Sequence, residues 1–340
     1  MLEVNKIKKV YGDHTALRDL SFCADAGKII GFLGPNGAGK TTGMNIFSGY
    51  MQPTSGTVRI CGFDVASDRK KAMENVGYLP ENPPLYPEMT VEEYLRFTSE
   101  LKKLKGKKAV IEAERVMELT QTAQERRRLI GQLSKGTRQR VAIAGVLSGS
   151  PKLLLLDEPA NGLDPGQAAM FKKILMDLKR VGSTVVVSSH ILSRLSEVCD
   201  ELLIINRGRL IAAGTVSFFE KKMNGGGLIV DIAGSVQECE KALMPLRKLC
   251  DVRPGGKSAS GANTYVLSGF KEDIKKQLFD AVAAEGLYID RLVKEGKTLE
   301  EIYLGMIEAS EAEFEKARRR AEKKRAEIEK EGEEDEDNLF

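Results

Sequence analysis

The stretch Gly34-Pro35-Asn36-Gly37-Ala38-Gly39-Lys40-Thr41 constrains this chain more than any other. It fits the pattern G-x-x-x-x-G-K-[ST]. Its glycines let successive backbone N–H groups curl around phosphate oxygens, and the helix that opens near Gly39 aims its positive end at the anion. Lys40 can reach the β- and γ-phosphates, and the Thr41 hydroxyl can hold Mg²⁺. Pro35, Asn36, Ala38 and Thr42 complete the turn. The geometry demands a strand before the turn and a helix after it. Residues 28–50, KIIGFLGPNGAGKTTGMNIFSGY, read that way.

The rest of the chain extends this pattern. TSGTVRICGFDV (54–65) reads as a hairpin. Residues 88 to about 150 carry helical patterns and no strand signal. KLLLLDEP (152–159) and STVVVSSH (183–190) are continuous apolar runs of the kind found in a buried parallel sheet. The fold class is therefore α/β, with a helical insertion at about 88–150. Leu153–Leu156 ends in two adjacent carboxylates. Asp157 can hold the Mg²⁺ shell, and Glu158, pointing the other way along the strand, can act as general base on a water. His190 ends the last apolar run, where ligands of parallel sheets collect, so a γ-phosphate contact is expected of it. His14 lies in a predicted surface turn and receives no role.

The 340 residues, 42% of them apolar and 30% charged, describe a globular chain of two or three domains. A net charge of +3 gives no argument for nucleic acid. Cys23, Cys61, Cys199, Cys239 and Cys250 form no CxxC pair, which suits a reducing cytoplasm. The opening MLEVNKIKKVYG lacks the apolar core of a signal peptide, and no run reaches transmembrane length.

Domain limits are expected at 1–222, with a Gly-rich linker at 223–227 and an accessory α+β domain at 228–308 whose βαββαβ order is ferredoxin-like. Residues 309–340 read as a charged helical or disordered tail, from basic KARRRAEKKR to acidic EGEEDED. A basic face on anionic lipid is the alternative for that tail. One stiff elbow remains, GYLPENPPLY (77–86), which sets Glu81 among prolines.

Leu133-Ser134-Lys135-Gly136-Thr137-Arg138-Gln139-Arg140 resembles the LSGGQ signature of ABC-type ATPases, with Lys135 replacing a glycine and Thr137 the glutamine. The order of features is also similar to that family's: Tyr11, phosphate turn, elbow, signature, paired carboxylates, NGLD (161–164), His190. The resemblance covers about residues 1–222 and implies a P-loop ATPase fold with an antiparallel β subdomain. It implies ATP sandwiched between two copies of the chain. Tyr11 would stack on adenine, Ser134 and Gly136 would touch the partner copy's γ-phosphate, and Asp164 would lie at the junction. Glu81 falls where the family usually has a Gln close to Mg²⁺ and the attacking water. The segment from Gly77 through MTVEEYLRF resembles ATPase subunits of bacterial type-2 exporters, in the branch linked to gliding motility, sodium or drug export and nitrous-oxide respiration.

That resemblance implies an ATP-hydrolysing, membrane-peripheral cytoplasmic subunit beside a membrane-spanning permease, with no nucleic-acid partner. Three alternatives compete. An importer ATPase with a C-terminal extension would carry an all-β appendage and a Gln in the elbow. A soluble ABC ATPase of nucleic acid or ribosomes would carry a long coiled coil or a second ATPase domain. A silent regulatory subunit would not keep Lys40, Asp157, Glu158 and His190.

Overall fold

The structure, a computed structural model, describes residues 1–223, 227–270, 273–295 and 298–337. The chain forms two compact units. One comprises Met1–Val216 together with the residues from Met306 onward, and the other spans Ser217–Gly305. Of the expected linker, residues 224–226 lie outside the described residues.

The first unit opens with β1 (Leu2–Tyr11) and β2 (His14–Ala24), a hairpin, then β3 (Ile29–Leu33) and α1 (Lys40–Phe47). Next come β4 (Ser55–Ile60), β5 (Phe63–Asp64), α2 (Arg69–Met73) and β6 (Val76–Leu79). The helical insertion is α3 (Val91–Leu101), α4 (Lys107–Leu119) and α5 (Lys135–Leu147). β7 (Leu153–Leu156), α6 (Pro165–Arg180), β8 (Thr184–Ser189), α7 (Leu192–Ser196), β9 (Glu201–Asn206) and β10 (Arg209–Thr215) complete it.

Two sheets result. One is antiparallel, in the order β2-β1-β4-β5; the other runs β10-β9-β3-β8-β7-β6, parallel except for the edge strand β10. Every residue of β3, β7 and β8 is buried, as an apolar run covered on both faces must be. The space between the sheets and α1 is filled by an aromatic trio, Phe22, Phe32 and Phe47, with ring centroids 5.5–6.1 Å apart. The elbow after β6 leads to α3, which opens on a reciprocal cap between Thr90 and Glu93.

The parallel register positions the chemistry. Leu33 pairs with Ser189, and Leu156 with Val187, so β3, β7 and β8 end side by side. Their next residues are Gly34, Asp157 and His190, gathered at the carboxyl edge where α/β sheets take ligands.

The second unit contains α8 (Val216–Met223), β11 (Gly227–Ala233), α9 (Val236–Leu243), β12 (Asp251–Lys257), β13 (Asn263–Ser268), α10 (Lys275–Ala284) and β14 (Tyr288–Glu295). Its antiparallel sheet runs β12-β13-β11-β14, the split arrangement that a βαββαβ order gives. Asp231 is buried on β11 and held by Thr264 and by Arg291 at 2.7 Å. α11 (Leu299–Asp337) is one continuous helix, and its residues from Met306 belong with the first unit.

Candidate functional site

The turn after β3 shows why its glycines stand where they do. A side chain on Gly34 would run into the carbonyl of Ile205 on β9. One on Gly39 would meet the Ala16 carbonyl at 2.7 Å, and Gly39 is also left-handed at φ 103°. Gly37 faces open space but has φ 78°, which L side chains resist. Ala38 anchors the turn from below, its carbonyl accepting from Gly208 N at 2.9 Å.

Lys40 folds back beneath the turn. Its ammonium donates to the carbonyls of Gly34 (2.8 Å) and Pro35 (3.2 Å) and lies 3.4 Å from Glu158 Oε1. Both partners of this ion pair are buried. Glu158 also receives His190, whose Nδ1 is 3.1 Å from each carboxylate oxygen. An ionised carboxylate only accepts, so Nδ1 is the protonated nitrogen and Nε2 is the one left for another partner. The Glu158 backbone sits at φ 46°, a left-handed conformation that costs a non-glycine residue about 1–3 kcal/mol and clusters at functional sites.

Asp157 turns the other way, as strand alternation requires. Its Oδ1 accepts from Ser188 Oγ at 2.6 Å, and the Thr41 hydroxyl sits beside the same carboxylate. Ser188 Oγ in turn accepts from Glu158 N at 2.8 Å. Burial pushes the Asp157 carboxyl up. The Ser188 and Thr41 hydroxyls oppose that shift, and the charges of Glu158 and Glu81 reinforce it. Asp157 Oδ2 is buried with no hydrogen-bond partner. An orphaned carboxylate oxygen beside a threonine hydroxyl is a hard oxygen donor set, and Mg²⁺ fits it.

A cavity of about 490 Å³ runs from Tyr11, His14 and Ala16 over Asn36, Gly37 and Gly39 to Lys40, Thr41 and Thr42. Glu81, Glu158, Asn161 and His190 close its far end. Tyr11 is 43% exposed, with its hydroxyl on Met51 Sδ at 2.7 Å. Glu81 is also exposed, and its Oε1 accepts from Asn161 Nδ2 at 3.4 Å. A second cavity, about 440 Å³ and largely apolar, lies between α6 and α7 and shares only Glu158 with the first. It has no residue of the phosphate turn.

Of the residues singled out in the sequence, Gly34, Pro35, Ala38, Asp157, Ser134, Gly136 and Asp164 do not line the phosphate cavity, and the last three serve other elements. Ser134 caps α5, accepting from Thr137 N at 3.2 Å. Gly136 lies under the Gln167 amide, which a side chain at 136 would have to displace. Asp164 caps α6 reciprocally with Gln167. Conversely, sequence reasoning gave no role to Ser188, Asn161 or His14. The double serine after STVVV was the only available signal for Ser188. His14 is the first residue of β2, paired with Tyr11, and not a loop residue.

A buried lysine under a glycine turn, a carboxylate pair and a histidine at adjoining strand ends define a nucleoside-triphosphate hydrolase of the P-loop class. The sequence profile of the ABC transporter family matches residues 17–161. The chain is 30% identical over 321 residues to the ABC transporter ATP-binding protein YdbJ of Bacillus subtilis, covering 93% of this chain and 98% of that one. It is 28% identical over 306 residues to the linearmycin resistance ATP-binding protein LnrL of the same organism, covering 90% and 98%. It is 34% identical over 212 residues to the bacitracin transport ATP-binding protein BcrA of Bacillus licheniformis, covering 62% and 68%. Among solved structures, an ATP-binding subunit of an ABC transporter superposes with a TM-score of 0.59 at 30% identity, covering 65% of this chain and 92% of that one. The dimeric post-hydrolysis cassette MJ0796, bound to ADP and Pi, shares the fold with a TM-score of 0.59 at 24% identity, covering 64% and 99%. The chain belongs to the ABC transporter ATP-binding family, and it binds and hydrolyses ATP.

Proposed function

We propose that this chain is the motor of an exporter, working as two copies beside a membrane-spanning permease. The observation that carries the ATPase half is the Lys40–Glu158–His190 cluster beneath the phosphate turn. The export direction is supported by relatives whose names specify linearmycin resistance, bacitracin transport and Nod factor export. Among the described residues no helix is long and apolar enough to cross a membrane, so the translocation path is assigned to another chain. A cytoplasmic position on the membrane's inner face goes with that partnership, and the elbow sequence supports the type-2 exporter branch.

In this reading the adenine lies on Tyr11 and the triphosphate fills the turn from Gly34 to Thr42. Lys40 leaves Glu158 and the Gly34 and Pro35 carbonyls for the β- and γ-phosphate oxygens. Asp157 and Thr41 would hold Mg²⁺, which would supply charge neutralisation at the phosphates. Glu158, freed from Lys40, takes the proton of the attacking water while His190 orients its carboxylate and faces the γ-phosphate through Nε2. Glu81 would add an oxygen to the Mg²⁺ site from the elbow. Ser134 and Gly136 serve the nucleotide held by the other copy, and Asp164 lies at the junction, which accounts for their distance from this cavity. Closure on ATP and reopening after hydrolysis drive the permease.

Lys40→Ala tests the cradle directly. ATP affinity measured by calorimetry on the purified chain should fall at least tenfold; unchanged affinity refutes the assignment. Export is tested by co-purification from membranes. A polytopic membrane chain with no extracytoplasmic binding protein is the expected outcome, and recovery with such a binding protein favours import.

A further inference from the structure

The floor of the phosphate turn rests on a hairpin tip. Arg207 and Gly208 join β9 to β10 with φ 47° and 76°, the two left-handed residues of a tight hairpin turn. Gly208 N donates to the Ala38 carbonyl at 2.9 Å, and Gly208 O accepts from Arg18 N at 2.7 Å. A side chain on Gly208 would collide with the Ala16 carbonyl, the same carbonyl that crowds Gly39. Cradle, β2 and hairpin tip are therefore packed backbone to backbone, and one residue, Gly208, bonds to both neighbours.

Arg207, which precedes Gly208, and Arg18, whose N–H bonds to it, share a partner on α11. The Phe314 ring lies 4.5 Å from the Arg207 guanidinium carbon and 5.7 Å from that of Arg18. Glu315 reinforces the contact, 3.7 Å from Arg207 Nη1. Arg18 is half-buried, its Nε has no hydrogen-bond partner, and the Phe314 face is the aromatic surface against its guanidinium. A charge-dense helical segment that looked like a solvated tail thus presents one aromatic side chain to the back of the phosphate site.

We propose that Phe314 is a positioning residue for ATP binding: by drawing Arg18 and Arg207 together it holds Gly208 against Ala38 and keeps the phosphate turn formed. This rests on the assignment of the turn as the ATP cradle. It gives the C-terminal helix a direct influence on nucleotide affinity without touching nucleotide. Saturating ATP fills the turn whether or not it is braced, so the effect belongs to KM and not to kcat.

The test uses the full chain and ATP itself. Two cation–π contacts of ordinary strength, if spent on the turn, correspond to about a five- to thirtyfold change in affinity. Phe314→Leu keeps apolar bulk and removes the ring. Its Kd and KM for ATP should rise about five- to thirtyfold with kcat within about twofold. Phe314→Trp keeps an aromatic face and should bind ATP within about twofold of the wild type. Phe314→Ala should match the leucine variant; if it does not fold, the leucine and tryptophan variants decide. A leucine variant that binds ATP like the wild type, or a tryptophan variant as weak as leucine, overturns the proposal. A wild-type chain that fails to bind ATP would instead overturn the cradle assignment, so the two failures are distinct.

Discussion

Glu158→Gln should act on the empty protein in the direction opposite to its action on the ATP complex. In the empty site Glu158 neutralises Lys40 at 3.4 Å with both groups buried. Two unit charges at that separation attract by about 5 kcal/mol at an effective dielectric near 20. Removing one partner of a buried pair typically costs about 3–5 kcal/mol. Glutamine keeps an oxygen that can accept from Lys40, and Lys40 keeps the Gly34 and Pro35 carbonyls, so the net loss should be about 2–3 kcal/mol. For a unit of this size that lowers the melting midpoint of the empty chain by about 5–10 °C. ATP binding must break the same ion pair and bring a γ-phosphate beside the same carboxylate. The variant is spared both costs, so it should bind ATP about tenfold more tightly or better. Turnover should fall by about 10²–10⁴, the usual contribution of a positioned base. Differential scanning fluorimetry with and without ATP, calorimetry and a phosphate-release assay together give the three numbers. An empty-state midpoint within about 1 °C of the wild type would refute the ion-pair argument. A variant that binds ATP more weakly would refute the competition between Glu158 and phosphate.

Two further predictions follow from the same carboxylate cluster. Burial holds the Asp157 carboxyl above its ordinary value of 3.8, so the folded state takes up its proton more readily than the unfolded chain does. The stability this group contributes is then fully present at pH below the ordinary value and is lost as pH rises through the folded one. Asp157→Asn should therefore melt higher than the wild type at pH 7–8 without Mg²⁺, lose Mg²⁺-dependent ATPase, and show a stability advantage that narrows on acidification; equal midpoints at neutral pH would sink the argument. Glu81→Gln should change the Mg²⁺ concentration for half-maximal ATPase, because the Glu81 charge is felt at Asp157; an unchanged rate and Mg²⁺ dependence would leave only the proline-stiffened backbone of the elbow with a role.

Contiguous chemistry was legible in the sequence, and chemistry assembled by strand register was not. The phosphate turn lies within a few residues of chain, so its glycine spacing, strand and helix could be read directly. The carboxylates and His190 could be named for the same reason, as ends of apolar runs. That Ser188 bridges Asp157 and Glu158 depends on β7 and β8 pairing Leu156 with Val187, which no local pattern encodes. The Glu158–Lys40 pair depends likewise on β3 and β7 flanking β8. Glu81 was expected near the metal, and its partner is Asn161, the first residue of the NGLD turn, to which no local pattern links it. The unit boundary was missed for a related reason. The helix from Val216 looked like the end of the first unit, but the fold divides at its start. Phe314 was hidden in a run of charge, where composition says solvent and one aromatic side chain does not alter the average.

The Gly208–Ala38 hydrogen bond also sets a clock for biosynthesis. The turn at 34–41 leaves the ribosome early, yet the floor it rests on is residue 208, and Gly34 packs against the Ile205 carbonyl. At synthesis rates of about 5–20 residues per second, the lag between these segments is roughly 10–30 s. A nascent chain carries its phosphate motif through that interval without the backbone support that shapes it. The backbone contacts that shape the turn are complete only when the central sheet is nearly complete.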